Sequence, residues 1–99
     1  MNTLITAAAS AEAYRLKNQL NKHNIILGDY LELPAFMLGS ANMIRLPNPA
    51  SLSYAHEMLT LCLDKNINTV YALREEELTN LVKAEQLFEE YGIEIVNTK

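Results

Sequence analysis

Residues 3–13 read TLITAAASAEA, and this stretch decides the fold of the chain. Its apolar, β-prone beginning predicts a buried strand over residues 3–8. Ser10 is typical of a helix N-cap, and Glu12 lies in the first turn that follows, where a carboxylate interacts favourably with the helix dipole. A buried strand, a tight turn and a helix start together form the first unit of an α/β fold.

The composition is that of a single globular domain over residues 1–99. Hydrophobic residues make up 49% of the chain and charged residues 20%, which excludes a disordered protein. The net charge is −4, and the eight Lys and Arg residues are scattered singly. Nucleic acids and anionic membranes bind clustered basic residues, so neither is expected as a partner. No signal peptide or membrane-spanning run is recognisable, and we expect a cytoplasmic protein.

The chain offers few groups for catalysis or metal binding. The single cysteine, Cys62, lies in the apolar run LTLCL and is predicted to be a small buried side chain rather than a catalytic thiol. No Cys/His cluster has the spacing of a metal site, and no nucleophile can be paired with a base. We therefore predict no metal, no cofactor and no catalytic residue.

Strands and helices alternate along the rest of the sequence. A helix is predicted after Ser10 to about residue 24, another from Asn48–Pro49, and a third from Glu75 to about residue 91. The predicted strands cover residues 3–8, 24–29, 42–46, 69–73 and 93–96. Helical crossovers between apolar strands imply parallel pairing with helices on both faces, and right-handed crossovers then favour the sheet order 3-2-1-4-5.

Three segments of the sequence resemble the pre-ATP-grasp domain, which precedes the ATP-binding part of ATP-grasp ligases and carbamoyl phosphate synthase-like enzymes. The most specific part is Glu76-Glu77-Leu78 followed by Phe88 and Gly92. The resemblance implies a three-layer Rossmann-like sandwich around a mainly parallel sheet of about five strands. The segments are LITAAASAEAYRLKNQL (4–20), IILGDY (25–30) and INTVYALREEELTNLVKAEQLFEEYGIEIVN (67–97).

The sequence departs from this family where a phosphate would bind. Ala7 and Ala9 stand where glycine is usual, and without glycine the backbone is not expected to adopt a positive φ or to approach a phosphate closely. In such enzymes the ATP and metal ligands lie in the domains that follow, and the sequence ends at Lys99. The resemblance therefore implies a non-catalytic domain that acts by protein association, either with itself or with a separately encoded ATP-grasp protein as the detached N-terminal part of a split ligase.

Candidate ligand-binding residues lie where the carboxyl ends of strands 1 and 4 meet, the usual binding edge of an open α/β sheet. In one interpretation this edge binds a nucleotide or a carboxylate, with Arg74 and free N–H groups at the helix start holding an anion and Asp29 contacting a ribose. In the simpler interpretation Ser10 only caps its helix and Arg74 is a solvated charge. The candidates are Ala9, Ser10, Asp29, Arg74 and Glu75.

The run Glu75-Glu76-Glu77 has two interpretations as well. Carboxylates in this position could supply a general acid or a metal ligand. They also stabilise the positive end of the helix dipole by about 0.3–1 kcal/mol each, which explains the run without any chemistry.

Residues 30–38 concentrate large apolar side chains outside any regular element. The segment either packs over its own sheet edge or forms an association surface for a second copy or a partner protein. The final strand could also pair across a dimer. The candidate interface residues are Tyr30, Leu31, Leu33, Phe36, Met37 and Leu38.

Overall fold

A five-stranded parallel sheet in the order β3-β2-β1-β4-β5 forms the centre of the molecule. The computed structural model describes residues 2–8, 10–20, 24–30 and 43–96. The α/β class and the sheet order predicted from the sequence are confirmed. The strands are β1 (Asn2–Ile5), β2 (Ile25–Asp29), β3 (Met43–Arg45), β4 (Ile67–Tyr71) and β5 (Glu94–Val96). The helices are α1 (Ala11–Leu20), α2 (Tyr54–Asp64), α3 (Glu75–Lys83) and α4 (Glu85–Glu90).

The core lies in two clusters, one on each face of the sheet. The central strand β1 contributes to both, because successive side chains of a strand point to opposite faces. Leu4 packs with apolar side chains of α2, α3 and α4, including Met58, Leu81 and Phe88. Ile5 packs with Ala13 of α1 and with neighbouring strands. Helices therefore cover both faces, as a three-layer sandwich requires.

The second helix begins later than the sequence pattern predicts. Asn48–Pro49 was the expected start, but α2 begins at Tyr54 and residues 49–53 form turns. The Asn48 side-chain oxygen accepts the Ala50 N–H at 2.9 Å, and the Asn48 carbonyl accepts the Ser51 N–H at 3.0 Å. Asn48 thus nucleates a turn instead of capping a helix, since short polar side chains compete for the backbone groups that a helix would use.

The last predicted helix is interrupted. The expected helix over 75–91 is two helices, α3 and α4, separated at Ala84 with φ −107°. Its N–H donates to the Leu81 carbonyl, three residues back, at 3.0 Å. Alanine is the best helix former, so no local propensity predicts this break. At the far end, Gly92 adopts φ 74° and stops α4, as predicted.

Cys62 lies in the core, as predicted. Its side chain on α2 has no exposed surface, and burial raises the pKa of the thiol to about 12. Among the helices that the structure describes, none has the length and apolar character that crossing a membrane requires.

Candidate functional site

The turn after β1 contains an alanine in the left-handed region. Ala7 has φ 55°, so the expectation that a positive φ requires glycine here is wrong. Such a conformation costs an L-residue roughly 1–2 kcal/mol. The Ser10 N–H and hydroxyl both donate to the Ala7 carbonyl, at 2.9 and 2.8 Å, and the Ala8 N–H donates to the Gly28 carbonyl at 3.0 Å. These bonds, and the packing of Ala7 and Ala8 against Ala13, hold the turn in place.

Ser10 also begins helix α1. Its hydroxyl oxygen accepts the Ala13 N–H at 3.3 Å, which is the predicted N-cap bond. The neighbouring candidate Ala9 lies outside the described residues. A role for either residue in binding a ligand stays a prediction.

Thr6 connects the chain that follows β1 to the chain at the end of β4. Both strands end earlier than predicted, at Ile5 and Tyr71, and the chain beyond each end bonds to the other. The Leu73 N–H donates to the Thr6 hydroxyl oxygen at 2.9 Å, and the Thr6 N–H donates to the Tyr71 carbonyl at 3.1 Å. Thr6 is fully buried, so this contact fixes the backbone immediately before Arg74.

Asp29 and Arg74 form an ion pair at the carboxyl end of the sheet. Arg74 Nη2 lies 2.9 Å from Asp29 Oδ2 and 3.1 Å from Oδ1. Asp29 is fully buried, whereas the Arg74 side chain is 27% exposed. The guanidinium carbon of Arg74 lies 5.1 Å from the centroid of the Tyr30 ring, within the range of a cation–π contact. Arg74 is therefore not the solvated charge of the simpler interpretation.

The ion pair favours the charged form of Arg74. Burial lowers the pKa of Arg74, but the hydrogen bond to Asp29 and the negative charges around the guanidinium outweigh it, so the pKa is raised. Arg74 Nε is buried and has no hydrogen-bond partner among the described residues.

The position of the ion pair follows from the sheet order. Asp29 ends β2 and Arg74 follows β4, and β1 lies between these two strands. The ion pair therefore crosses the carboxyl end of β1, at the point where the strand order reverses. An open α/β sheet usually binds its ligand at this point.

The sequence places Glu77 in the acidic run at the start of α3, but it does not predict that Glu77 is the buried carboxyl group of the site. Its side chain has no exposed surface, and neither carboxyl oxygen has a hydrogen-bond partner of ordinary geometry among the described residues. Burial raises the pKa of Glu77 to about 7, against the opposing influence of the Thr6 hydroxyl and the Arg74 charge. One signal was present in the sequence: Glu77 lies four residues before Leu81, and residues with this spacing share a helix face.

Tyr54 lies close to Glu77 from the opposite helix. Its phenol, at the start of α2, is buried, and its hydroxyl makes no hydrogen bond of ordinary geometry within the described ranges, with the Glu77 carboxyl group as the acceptor near it. Burial raises the pKa of Tyr54, and the negative charge of Glu77 raises it further. The structure thus brings a phenol and a carboxyl group together where α2 meets α3.

Glu75 and Glu76 lie on the exposed side of α3. They form one wall of an open cleft of about 470 Å³ between α3 and the turn before α2. The Asn80 side chain donates to the Pro49 carbonyl at 2.8 Å and holds the two sides together. The lining residues are Pro49, Ala50, Glu75, Glu76, Thr79 and Asn80.

The structure therefore unites only part of the predicted site. Asp29 and Arg74 are in contact, Glu75 faces the neighbouring cleft, and Ser10 serves the α1 turn. Among the residues described, no group of three Asp, Glu, His or Cys side chains could hold a metal ion. Of the candidate interface residues only Tyr30 is described; Leu31, Leu33, Phe36, Met37 and Leu38 lie outside the described residues.

Solved structures include proteins of the same fold. A GalE-like L-threonine dehydrogenase from Cupriavidus necator, in its holo form, superposes with a TM-score of 0.56 over 88% of this chain, with 16% sequence identity. At that identity the similarity shows the fold alone, and the chain spans only 34% of that enzyme. A comparison with curated proteins gave no match.

The sequence itself matches a family. Residues 4–96 match the family described as PylC-like, N-terminal domain. The match covers nearly the whole chain and confirms the resemblance carried by the strand, turn and helix segments quoted above. The chain belongs to the PylC-like N-terminal domains, a Rossmann-like family of the pre-ATP-grasp type.

Proposed function

We propose that this domain acts by protein association, docking against an ATP-grasp catalytic domain, and that its own sheet edge does not bind a nucleotide. The observation that carries the proposal is the Asp29–Arg74 ion pair. It occupies the place where enzymes of this fold hold their cofactor.

The chemistry of that edge supports the proposal. A dinucleotide site needs an acid at the end of the second strand with oxygens available to the ribose hydroxyls. The Asp29 carboxylate is fully buried, and both of its oxygens contact Arg74. The methyl groups of Ala7 and Ala8 are buried against α1, in the turn that would have to approach a pyrophosphate. Side chains of the protein itself thus lie along the edge where a cofactor would bind, which supports the proposal.

The cleft beside α3 supports association as well. Its wall carries the exposed carboxylates of Glu75 and Glu76, and the nearby Leu52 side chain is fully exposed. Acidic groups next to an exposed apolar side chain suit a partner that presents a lysine or arginine beside an apolar residue. The segment containing Leu31 to Leu38 remains a second predicted association surface.

The proposal can be tested by measuring association directly. The domain is mixed with an ATP-grasp catalytic domain that lacks its own N-terminal domain and studied by calorimetry and by size exclusion with light scattering. We expect a complex, and we expect the double variant Glu75→Gln/Glu76→Gln to weaken it at least tenfold. The matched control Glu89→Gln/Glu90→Gln removes the same charge from the exposed face of α4 and should leave the affinity unchanged.

Two results would contradict this function. A strictly monomeric domain with no detectable binding to the ATP-grasp protein would exclude association. Equal weakening by the α3 and α4 double variants would show a general charge effect and exclude the cleft as the contact.

The alternative is a binding site for a small anion, such as a nucleotide or a carboxylate. The observation that favours it is Arg74, which remains 27% exposed and has a buried Nε without a partner among the described residues. A ligand present at 100 times its dissociation constant stabilises a protein by about 2.7 kcal/mol. A thermal shift with ATP, NAD, phosphate or amino acids that is lost in Arg74→Gln would establish this alternative; the association proposal expects no shift.

A further inference from the structure

Glu77 is a buried carboxyl group that neither association nor anion binding uses. We propose that Glu77 carries a proton in the native fold, and that release of this proton loosens the start of α3 and with it the Asp29–Arg74 ion pair. The sheet edge would then respond to pH near neutrality. This inference does not depend on the proposed function.

The first support is geometric. Glu77 is fully buried, and it lies one helical turn after Arg74, whose carbonyl accepts the Leu78 N–H at 2.9 Å. The Leu73 N–H is bonded to the fully buried Thr6. Residues 73–78 thus contain both Arg74 and Glu77, and hydrogen bonds of the Leu73 and Leu78 N–H groups hold the two ends of this short segment. A change of charge at Glu77 acts on the same backbone that positions Arg74.

The second support is the balance of charge around Glu77. The groups that act on it are the Thr6 hydroxyl just after β1, the Tyr54 phenol from α2, the Asp29 carboxylate from β2, and Arg74 and Glu76 from the start of α3. Asp29 and Arg74 neutralise each other. Since Glu76 is exposed to water, an ionised Glu77 would be an unbalanced negative charge among the described buried groups, which is costly, whereas a protonated Glu77 leaves those groups without net charge.

The direction of the pH effect follows from proton binding. Burial raises the pKa of Glu77 from the ordinary 4.5 to about 7, so the native state keeps a proton that the unfolded chain releases. Stability from this group is fully present below pH 4.5 and is lost as the pH rises towards 7. For one such proton, the unfolding equilibrium constant rises by up to about tenfold per pH unit within that window.

The test compares three proteins from pH 4.5 to pH 8 by urea unfolding. Glu77→Gln keeps the shape of a protonated carboxyl group and removes the ionisation. The unfolding equilibrium constant of this variant should therefore not rise with pH in this window. Glu76→Gln, one residue away and exposed, should keep the wild-type slope. Near pH 8 we expect Glu77→Gln to be more stable than the wild type.

Two measurements on the wild type keep the test independent of the variants. The carboxyl carbon of Glu77, followed by NMR, should titrate near pH 7, well above that of the exposed Glu76. Protection of the Leu73 and Leu78 amides from hydrogen exchange, corrected for intrinsic rates, should fall as Glu77 ionises. A Glu77 midpoint at the ordinary carboxyl value would overturn the inference, and so would a Glu77→Gln protein that keeps the wild-type pH slope.

Discussion

Gly28 shows how closely the residues beneath the Asp29–Arg74 ion pair are packed. A Cβ atom at this position would lie 2.7 Å from Leu46 Cδ2 and 2.8 Å from Leu46 Cγ. Leu46 is buried, and its N–H donates to the Asp29 carbonyl at 2.8 Å, so it has little freedom to move away. Asp29 thus follows the closely packed Gly28, and its carbonyl is bonded to Leu46.

We predict that Gly28→Ala destabilises the protein by about 1–3 kcal/mol, because it overpacks the contact with Leu46. Urea unfolding measures the change. In the double variant with Leu46→Ala the added methyl group gains space, so the two substitutions should together cost less than their sum. Gly92→Ala is the control: a Cβ at Gly92 would meet no atom within 4 Å, so Leu46→Ala should not rescue it. Strict additivity of Gly28→Ala and Leu46→Ala would contradict this packing.

Single substitutions also measure how much the Asp29–Arg74 ion pair contributes to the stability of the fold. We predict that Arg74→Ala costs about 3–5 kcal/mol, because it removes the guanidinium from a fully buried carboxylate. Arg74→Lys should cost less, since it keeps the charge, but it loses the planar group that contacts both Asp29 oxygens. Arg15→Ala, on the exposed side of α1, is the matched control and should leave the unfolding midpoint unchanged. A cost for Arg74→Ala no larger than that control would show that the pair does not support the fold.

For single residues, interactions with sequence neighbours can be predicted from the sequence, whereas contacts with residues far along the chain cannot. Ser10 was predicted as a cap because capping involves only its own next residues. The predicted sheet order places Asp29 and Arg74 at the same edge, but their ion pair joins residues 45 positions apart, and no local pattern predicts that contact. The run that contains Glu77 has two interpretations, a chemical role and the helix dipole, and neither predicts its burial, which depends on the packing of α3 over β1 and α2.

For the helices too, the sequence predicts what local spacing determines and not the bounds that turns and packing set. Hydrophobic spacing predicts that α2 and α3 exist. It did not predict that Asn48 forms a turn, since the same residue is typical of a turn and of a helix cap. Nor does it predict the interruption at Ala84, since alanine favours helix and the fully buried Phe88 that follows depends on packing with distant residues.

We predict that Phe88→Ala destabilises the protein by about 3–5 kcal/mol, since it leaves a cavity where a fully buried aromatic ring anchors α4. The short helix is expected to lose its amide protection first, which hydrogen exchange can measure. Phe88→Leu should cost less because it fills part of the same volume. Tyr91→Ala, at a side chain that is 54% exposed, is the control with a small effect. If Phe88→Ala unfolds the protein no more easily than Tyr91→Ala, α4 is held by something other than this ring.

For the whole molecule, the sheet order was predictable because few topologies satisfy right-handed crossovers between five short strands. The two core clusters lie on opposite faces of the sheet, and β1 contributes to both. The layers should therefore unfold together rather than one after the other.

We predict that Leu4→Ala and Ile5→Ala each cost about 2–5 kcal/mol, although they empty space on opposite faces of β1. Each variant should lower the urea midpoint without changing the dependence on urea, because unfolding remains a single transition. Circular dichroism and tyrosine fluorescence, measured together, would detect a second transition. Leu63→Ala, at a half-exposed side chain of α2, is the control. Separate transitions in either core variant would show that the two layers are independent.

The buried thiol of Cys62 has a practical consequence. It is the sole cysteine of the chain, and its side chain is fully enclosed beneath α2. A thiol-reactive dye can reach it only when that part of the core opens, and the raised pKa keeps it unreactive until then. The labelling rate of the unmodified protein, read by mass spectrometry, therefore reports how often the core opens, without an engineered probe.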